Sequence, residues 1–195
     1  SNFFDKGYIF SRILGMALIS YVVFVLGVLK IAPFTELTII LTILFFLIFN
    51  IILFKRLRHS GKPKAHPESP IALRDAGQAS MTMTSIWKIF LFEEILFLAA
   101  LFFWSYIRAH QPDIHGLEKY MDFGFVNSII RSEHFPPKDM WLTPHSINYY
   151  YFGHLVTAVL TKLSGIPSSI TYNLMLSTIF ALTFTASFSI GANLL

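Results

Sequence analysis

Five stretches of this sequence are mostly apolar over nearly the length that a helix needs to cross a bilayer, about 20 residues. The first two run from Ile13 to Leu29 and from Leu37 to Phe54, and neither contains a charged residue. Ala32-Pro33-Phe34 lies between them and predicts a turn, because proline lacks the N–H that a continuing helix donates. The two segments are therefore predicted to form a transmembrane hairpin.

The other three apolar segments follow a more polar stretch. They are predicted as spans at Ile86–Ile107, Ile147–Leu163 and Ser168–Leu195, with Gly165 and Pro167 forming the turn between the last two. The pattern predicts an all-α, polytopic membrane protein with about five transmembrane helices. The run of apolar residues up to Leu195 lacks a closing polar tail, so we expect the chain to be a fragment of a longer protein.

Composition supports a membrane protein and excludes several classes of function. Of the 195 residues, 54% are hydrophobic, 16% aromatic and 13% charged, and the mean hydropathy is +0.60. The net charge of +4 is small and dispersed, so a nucleic-acid partner is not expected. Because the chain has no cysteine, disulfides, cysteine nucleophiles and Cys-ligated metals are excluded.

Charge asymmetry predicts the orientation. Residues 55 to 85 carry three prolines and two glycines and are predicted to be a basic loop or loosely ordered linker. The stretch from Lys55 to Lys88 holds seven Lys or Arg against two acids, so the positive-inside rule places it in the cytoplasm. Residues 108 to 146 are then expected outside the plasma membrane, with the fourth span crossing inward and the fifth crossing outward.

Two carboxylates interrupt the third predicted span. Glu93 and Glu94 lie about two turns inside it, where charged groups are costly and usually face a cavity or a partner helix. Their positions are compatible with structural pairing or snorkelling near the cytoplasmic face. They are also compatible with a functional site inside the membrane.

The extracytoplasmic loop contains an amphipathic pattern. Apolar residues at positions 117, 121, 125 and 129 predict a surface helix over Leu117–Ser132, ended by Pro136-Pro137. Glu118 and Asp122 are four residues apart, so such a helix presents both carboxylates on one edge. They are candidates for a divalent-cation site (Mg or Mn) completed by water, or for a shared general base. The alternative is an ordinary solvated edge.

The fourth span begins with an unusual polar and aromatic cluster. Asn148, Tyr149, Tyr150 and Tyr151 precede Phe152-Gly153-His154. Tyrosines commonly anchor a helix at the headgroup level, and they could equally line a site for a sugar or a lipid phosphate. Soluble-enzyme motifs such as a Gly-rich phosphate loop or a GxSxG elbow do not occur.

Three motifs in one order resemble a known family. They are Glu118-Lys119-Tyr120-Met121-Asp122-Phe123, then Pro136-Pro137-Lys138-Asp139-Met140-Trp141-Leu142, then Ile147-Asn148-Tyr149-Tyr150-Tyr151-Phe152-Gly153. In these motifs the sequence resembles the YYY-domain membrane proteins, the DUF2298 family. The resemblance covers nearly the whole chain and is weakest in the linker.

That family is similar to GT-C glycosyltransferases, which take a sugar from a polyprenyl-phosphate donor on the extracytoplasmic face. The resemblance implies that Asp122 is the first candidate for a catalytic or metal-linked carboxylate and that Glu118 is the second. The adjacent acidic pair common in GT-C loops is missing here. By the same resemblance, the candidate residues for the donor and its phosphate are Arg108, Lys119, Arg131, His134, Asn148, Tyr149, Tyr150, Tyr151 and His154.

The resulting hypothesis has three segments. Residues 1–54 form a transmembrane hairpin, residues 55–85 form a basic cytoplasmic linker, and residues 86–195 form the start of a GT-C-like unit. The expected function is transfer of a sugar from a lipid-linked donor to an unidentified acceptor, with the bilayer as a partner. The alternatives are a transporter or flippase, in which Glu93, Glu94 and His154 would matter most, and a non-catalytic membrane scaffold.

Overall fold

The computed structural model of the chain describes residues 5–60 and 70–194, and side chains within 57–85 and at position 117 lie outside the description. These described residues form six α-helices and no strand, which confirms the all-α prediction. The helices are α1 (Tyr8–Val28), α2 (Glu36–Ser60), α3 (Pro70–Ala109), α4 (Leu117–Arg131), α5 (Phe152–Ser164) and α6 (Ser168–Leu194).

The predicted N-terminal hairpin is confirmed. Helix α1 ends at Val28 and α2 begins at Glu36, with Pro33 in the turn between them. The Thr38 hydroxyl donates to the Pro33 carbonyl at 2.7 Å, so the start of α2 is fastened to the turn. Hydroxyls that donate to nearby carbonyls leave fewer polar groups unpaired at a helix end.

Three helices of the described part of the chain are long and apolar enough to cross a membrane. They are α1, α2 over Glu36–Arg56, and α6. The third predicted span lies within α3, whose 40 residues extend about 60 Å. That span is not among the three that meet the length and apolarity criteria, and it stays a prediction.

The linker differs from its prediction at both ends. Helix α2 continues to Ser60, and α3 already begins at Pro70, so residues 70–85 are helical rather than loosely ordered. Proline is well suited to the first position of a helix, where no N–H is required. The alanines, leucine and methionines that follow have high helix propensity and outweigh the cost of one glycine. Residues 61–69 lie outside the described residues.

Helices α3 and α6 pack antiparallel. Near the C-terminal end of α3, the Arg108 Nε donates to Asn173 Oδ1 at 2.8 Å, and Trp104 stacks on Phe180 with ring centroids 4.5 Å apart. Toward the other end, Phe92 contacts Phe188, with ring centroids 5.4 Å apart. The turn at 165–167 therefore lies at the same end of the molecule as the loop that follows α3.

The predicted fourth span is wrong. Helix α5 has 13 residues and extends only about 20 Å, short of a hydrocarbon core of about 30 Å. Residues 147–151 are not helical, because Ile147 donates its N–H to Pro137 in the loop at 2.9 Å. Helix α6 runs in the direction opposite to α3, so the prediction that the third and fifth spans cross in the same direction is wrong as well.

The main core lies where the loop meets the hairpin. Its buried residues come from α1, the hairpin turn, α2, α4, the following loop and α5: Val23, Phe34, Ile39, Ile129, Phe135, Leu155, Ala158 and Val159. Phe135 donates its N–H to Gly27 O at 3.3 Å, and its ring lies directly on Gly27. The loop, α4 and α5 are thus held against the end of α1.

Replacing Gly27 with alanine should destabilise the protein. An added Cβ would overlap the buried Phe135 ring, and overpacking of this kind costs about 1–3 kcal/mol. Gly15→Ala is the matched control, because nothing lies within 4 Å of its added Cβ and alanine favours a helix by up to about 1 kcal/mol. Thermal unfolding in detergent should show a lower Tm for Gly27→Ala only; equal effects would contradict this packing.

The arrangement of α5 and α6 can be tested with single cysteines, because the chain has none of its own. Cysteines at Ser146 and Ser169, both exposed, should react with an impermeant maleimide from the same side of the membrane. A cysteine at Lys55, near the end of α2, should react from the opposite side. If the cysteines at positions 146 and 169 reacted from different sides, α5 would have to cross the membrane, and this arrangement would be wrong.

Candidate functional site

Asp122 and His154 form a pair between α4 and α5. The His154 Nε2 lies 3.0 Å from Asp122 Oδ1. The apolar stripe of α4 brings them together, since Phe125 is buried and meets the His154 ring edge-on with centroids 5.4 Å apart. The amphipathic helix is confirmed as α4, although it ends at Arg131, before the two prolines, where Ser132 turns into an extended conformation.

The two members of the pair differ in exposure. The Asp122 side chain is 35% exposed and the His154 side chain 15%, and His154 Nδ1 is buried without a partner. A histidine whose Nε2–H donates to a carboxylate holds that carboxylate in one orientation. Asp122 is thus an accessible carboxylate held by a half-buried histidine.

Tyr149 and Tyr150 lie beside this pair on the surface. Their ring centroids are 3.9 Å apart, and they are 51% and 67% exposed. The hydrogen bond with Tyr149 raises the pKa of Tyr150, and the negative charges of Asp122 and Glu118 add to the rise. The Tyr150 hydroxyl therefore keeps its proton at neutral pH and above, and it remains a hydrogen-bond donor.

The third tyrosine of the motif, Tyr151, is part of the core rather than of the surface. Tyr151 points into the core, where its ring lies 6.1 Å from Phe24 and 6.4 Å from Phe135 by centroids. Burial raises the pKa of Tyr151. The motif thus divides into two surface rings and one core ring, a division that a run of three identical residues could not reveal.

The other residues predicted to contact the donor lie in different parts of the structure. Arg108 is occupied in joining α3 to α6, since it also donates to the carbonyls of Gln111 at 2.7 Å and Asp113 at 3.3 Å. Lys119 is partly buried on α4, three residues before Asp122 and on the same side of the helix. Asn148 is exposed just before the tyrosines.

Arg131 and His134 line a cleft at the other end of α4. The cleft has a volume of about 620 Å³ and is lined by Ser128, Arg131, Ser132, Glu133, His134, Pro136, Lys138, Asp139, Met140 and Thr143. Arg131 lies nine residues beyond Asp122, about 13 Å along the helix axis. The structure therefore does not bring Arg131 and His134 together with the Asp122–His154 pair.

Sequence reasoning missed how the cleft is built. Asp139 Oδ1 accepts the N–H groups of Trp141 and Leu142 at 2.8 and 3.0 Å, and Ser128 donates to the Lys138 carbonyl. An aspartate bonding backbone groups two and three residues later is a known turn signal, so the loop conformation around Asp139 was detectable. The pairing of Asp122 with His154 had no local signal, because 32 residues separate them.

A metal site at Glu118 and Asp122 rests on these two carboxylates alone. Within residues 5–60 and 70–194, no three His, Asp or Glu side chains are grouped so as to hold a metal ion. Glu118 is exposed and Asp122 half-exposed, so a bound Mg²⁺ or Mn²⁺ would take its other ligands from water or substrate, as Mg²⁺ commonly does. The predicted divalent cation stays a prediction.

A second polar cluster lies at the opposite end of the helices. Arg12 forms an ion pair with Glu94, and the Tyr8 hydroxyl donates to Glu94 at 2.6 Å. The fully buried Asp5 accepts from Ser189 at 3.0 Å. Glu94 thus has the structural pairing that was one of the two interpretations of these carboxylates.

Glu93 differs from its neighbour. Its side chain is fully buried, and neither carboxylate oxygen meets the geometry of a hydrogen bond among the described residues, although Asp5 and Arg12 are close enough to act on its charge. Buried carboxylates without partners are costly and are a mark of functional positions in membrane proteins. For Glu93 the functional interpretation therefore stays open.

Comparison with known proteins identifies the family alone. The model of the family described as "Uncharacterized membrane protein (DUF2298)" matches residues 18–195. No curated protein and no solved structure matches the chain. The match covers the hairpin from residue 18 onward, α3 to α6 and all three motifs, and it leaves out Asp5, Tyr8 and Arg12 of the second polar cluster.

The division of the tyrosines predicts different effects of their removal. Tyr151→Ala should lower the free energy of unfolding by roughly 2 kcal/mol, because it empties a partly buried ring position in the core. Tyr150→Ala is the matched control and should change stability by less than about 0.5 kcal/mol. Thermal unfolding of the purified protein measures both; a larger effect of Tyr150→Ala would contradict the assignment.

Proposed function

The chain belongs to the DUF2298 family of uncharacterized membrane proteins, and we propose that it carries the extracytoplasmic site of a GT-C-like glycosyltransferase. The donor is a polyprenyl-phosphate-linked sugar. The observation that carries the proposal is the Asp122–His154 pair, a carboxylate and an imidazole 3.0 Å apart. The pair is partly open to solvent and lies at the end of the apolar helices, where a lipid-linked sugar would present its head.

Sugar transfer from a lipid phosphate needs a base and a means of stabilising the leaving group. The acceptor hydroxyl oxygen forms a bond to the anomeric carbon of the sugar while the bond from that carbon to the phosphate oxygen breaks. Asp122 takes the hydroxyl proton, and the polyprenyl phosphate leaves with the electron pair of the broken bond. His154 positions the Asp122 carboxylate by hydrogen bonding to Oδ1. The other carboxylate oxygen, Oδ2, is then free to take the proton of the acceptor.

Residues near Asp122 supply the rest of the chemistry. Lys119 lies one turn before Asp122 on α4, where an ammonium group can offset the charge of the departing phosphate. A divalent cation held by Asp122 and Glu118 with water would serve the same purpose. The exposed side chains of Tyr149 and Tyr150 offer ring faces and hydroxyl groups to a sugar.

One observation favours a second candidate function. Glu93 is fully buried and its oxygens form no hydrogen bond within the described residues, at the end of the molecule far from Asp122. An ion-coupled transporter would use such a carboxylate inside the membrane. In that case Glu93, rather than Asp122, would be the essential residue, and the tyrosines would serve as anchors at the membrane surface.

The test is transfer of labelled sugar from polyprenyl-phosphate donors in membranes that carry the whole protein, with and without Mg²⁺ or Mn²⁺. Asp122→Asn should lower the transfer rate by about 10²–10⁴-fold, the usual contribution of a general base. Glu118→Gln tests the second carboxylate. Glu36→Gln is the matched control, since Glu36 is an exposed carboxylate at the same end of the helices, and it should leave the rate unchanged.

The variants also separate the candidate functions. Loss of transfer in Asp122→Asn at matched expression, with Glu93→Gln active, supports the enzyme. A phenotype that depends on Glu93 and not on Asp122, without transfer from any donor, overturns the enzyme in favour of transport. A protein that tolerates both substitutions in vivo and transfers nothing would be a scaffold.

A further inference from the structure

The cleft at the C-terminal end of α4 has the size of a ligand site and is separate from the proposed reaction centre. Its volume of about 620 Å³ falls within the range of about 300–1,000 Å³ that small-molecule sites occupy. Met140, which lines the cleft, packs directly on Gly124 of α4, and neither Asp122 nor His154 is among the lining residues. A ligand in the cleft would therefore be held apart from the Asp122–His154 pair.

The cleft lies at the level where the apolar helices end. Phe34, in the turn of the N-terminal hairpin, donates its N–H to Glu133 O at 2.6 Å, and Phe135 donates to Gly27, one residue before the end of α1. Trp141 and Leu142, next to the cleft residue Met140, are 66% and 63% exposed. Exposed apolar side chains on a loop at this level are typical of contact with the bilayer interface.

The cleft offers two cationic side chains to an anion, and two acids, Glu133 and Asp139, balance their formal charge. Arg131 and Lys138 are exposed and have no ion-pair partner within the part of the chain that the structure describes. The half-buried His134 also lines the cleft, where an imidazole N–H can donate to an anion. Of the two acids, Asp139 has Oδ1 bonded to backbone N–H groups, whereas Glu133 stays available for a hydroxyl or ammonium group.

We propose that this cleft binds the phosphate of a membrane-lipid headgroup. Arg131 and Lys138 provide charge-assisted hydrogen bonds to the phosphate oxygens, and His134 provides a third contact. The exposed Trp141 and Leu142 contact the glycerol and the upper acyl chains. This phosphate differs from the leaving group at Asp122, since about 13 Å of helix separates the two places, and the proposal does not depend on sugar transfer.

A lipid is favoured over a free phosphate because of the position of the cleft. Its lining residues Glu133, His134 and Pro136 belong to the loop segment that hydrogen-bonds the hairpin turn and α1, so a bilayer lipid brings its phosphate to this depth without leaving the membrane. Binding there would fasten the α4 loop to the surface and set the height of the whole site relative to the bilayer.

The experiment measures binding to the purified whole protein in detergent, by calorimetry and by the shift in Tm. Three probes are compared: dihexanoyl phosphatidic acid, dihexanoylglycerol with the same chains but no phosphate, and inorganic phosphate. Phosphatidic acid should bind at least tenfold more tightly than either of the other two. Because hydrogen bonds to charged groups are strong, Arg131→Gln should weaken phosphatidic acid binding by about tenfold or more.

Two further variants complete the test. Lys138→Gln should weaken binding as well, whereas Lys30→Gln, which removes an exposed charge at the same end of the molecule but outside the cleft, should change the Kd less than twofold. Equal binding of dihexanoylglycerol would overturn recognition of the phosphate. Equal binding of inorganic phosphate would overturn the lipid source, and equal losses in Lys30→Gln and Arg131→Gln would show attraction by net charge instead of a site.

Discussion

The approach of Phe135 to Gly27 is the contact on which the rest of this structure depends. Phe135 is 3% exposed, its ring covers the glycine, and it lies 5.3 Å from the Phe34 ring by centroids. One side chain thereby joins the loop after α4 to the end of α1 and to the hairpin turn. Burying an aromatic side chain in this way contributes about 1.5–3 kcal/mol, and no other residue type than glycine at position 27 leaves room for it.

The Asp122–His154 pair and the cleft at the end of α4 both depend on that contact. Once the loop is fastened to α1, the apolar stripe of α4 packs on α5, and Asp122 meets His154. The same loop, continuing past Phe135, folds over the end of α4 and forms the cleft with Arg131 and Lys138. The two places share one scaffold, so a substitution that loosens the aromatic core would disturb both of them together.

The short length of α5 changes how its apolar sequence is interpreted. Leu155, Ala158 and Val159 are buried against other helices instead of facing lipid, and Thr161 hydrogen-bonds Thr171 of α6 at 2.7 Å. A short helix packed on its neighbours can be as apolar as a membrane span. The hydrophobicity of α5 therefore predicted correctly that the helix avoids water. It did not predict whether the helix packs against other helices or faces lipid.

The sequence by itself determined the membrane class, the hairpin, the amphipathic α4 and the position of the polar loop, because these depend on local periodicity and on proline. It also placed Glu118 and Asp122 on one edge of that helix. Only the tertiary structure decided that α5 does not cross, that Tyr151 belongs to the core, and that Asp122 meets His154 while Arg131 turns to a separate cleft. These features arise from contacts between residues far apart in the chain, which no local pattern encodes.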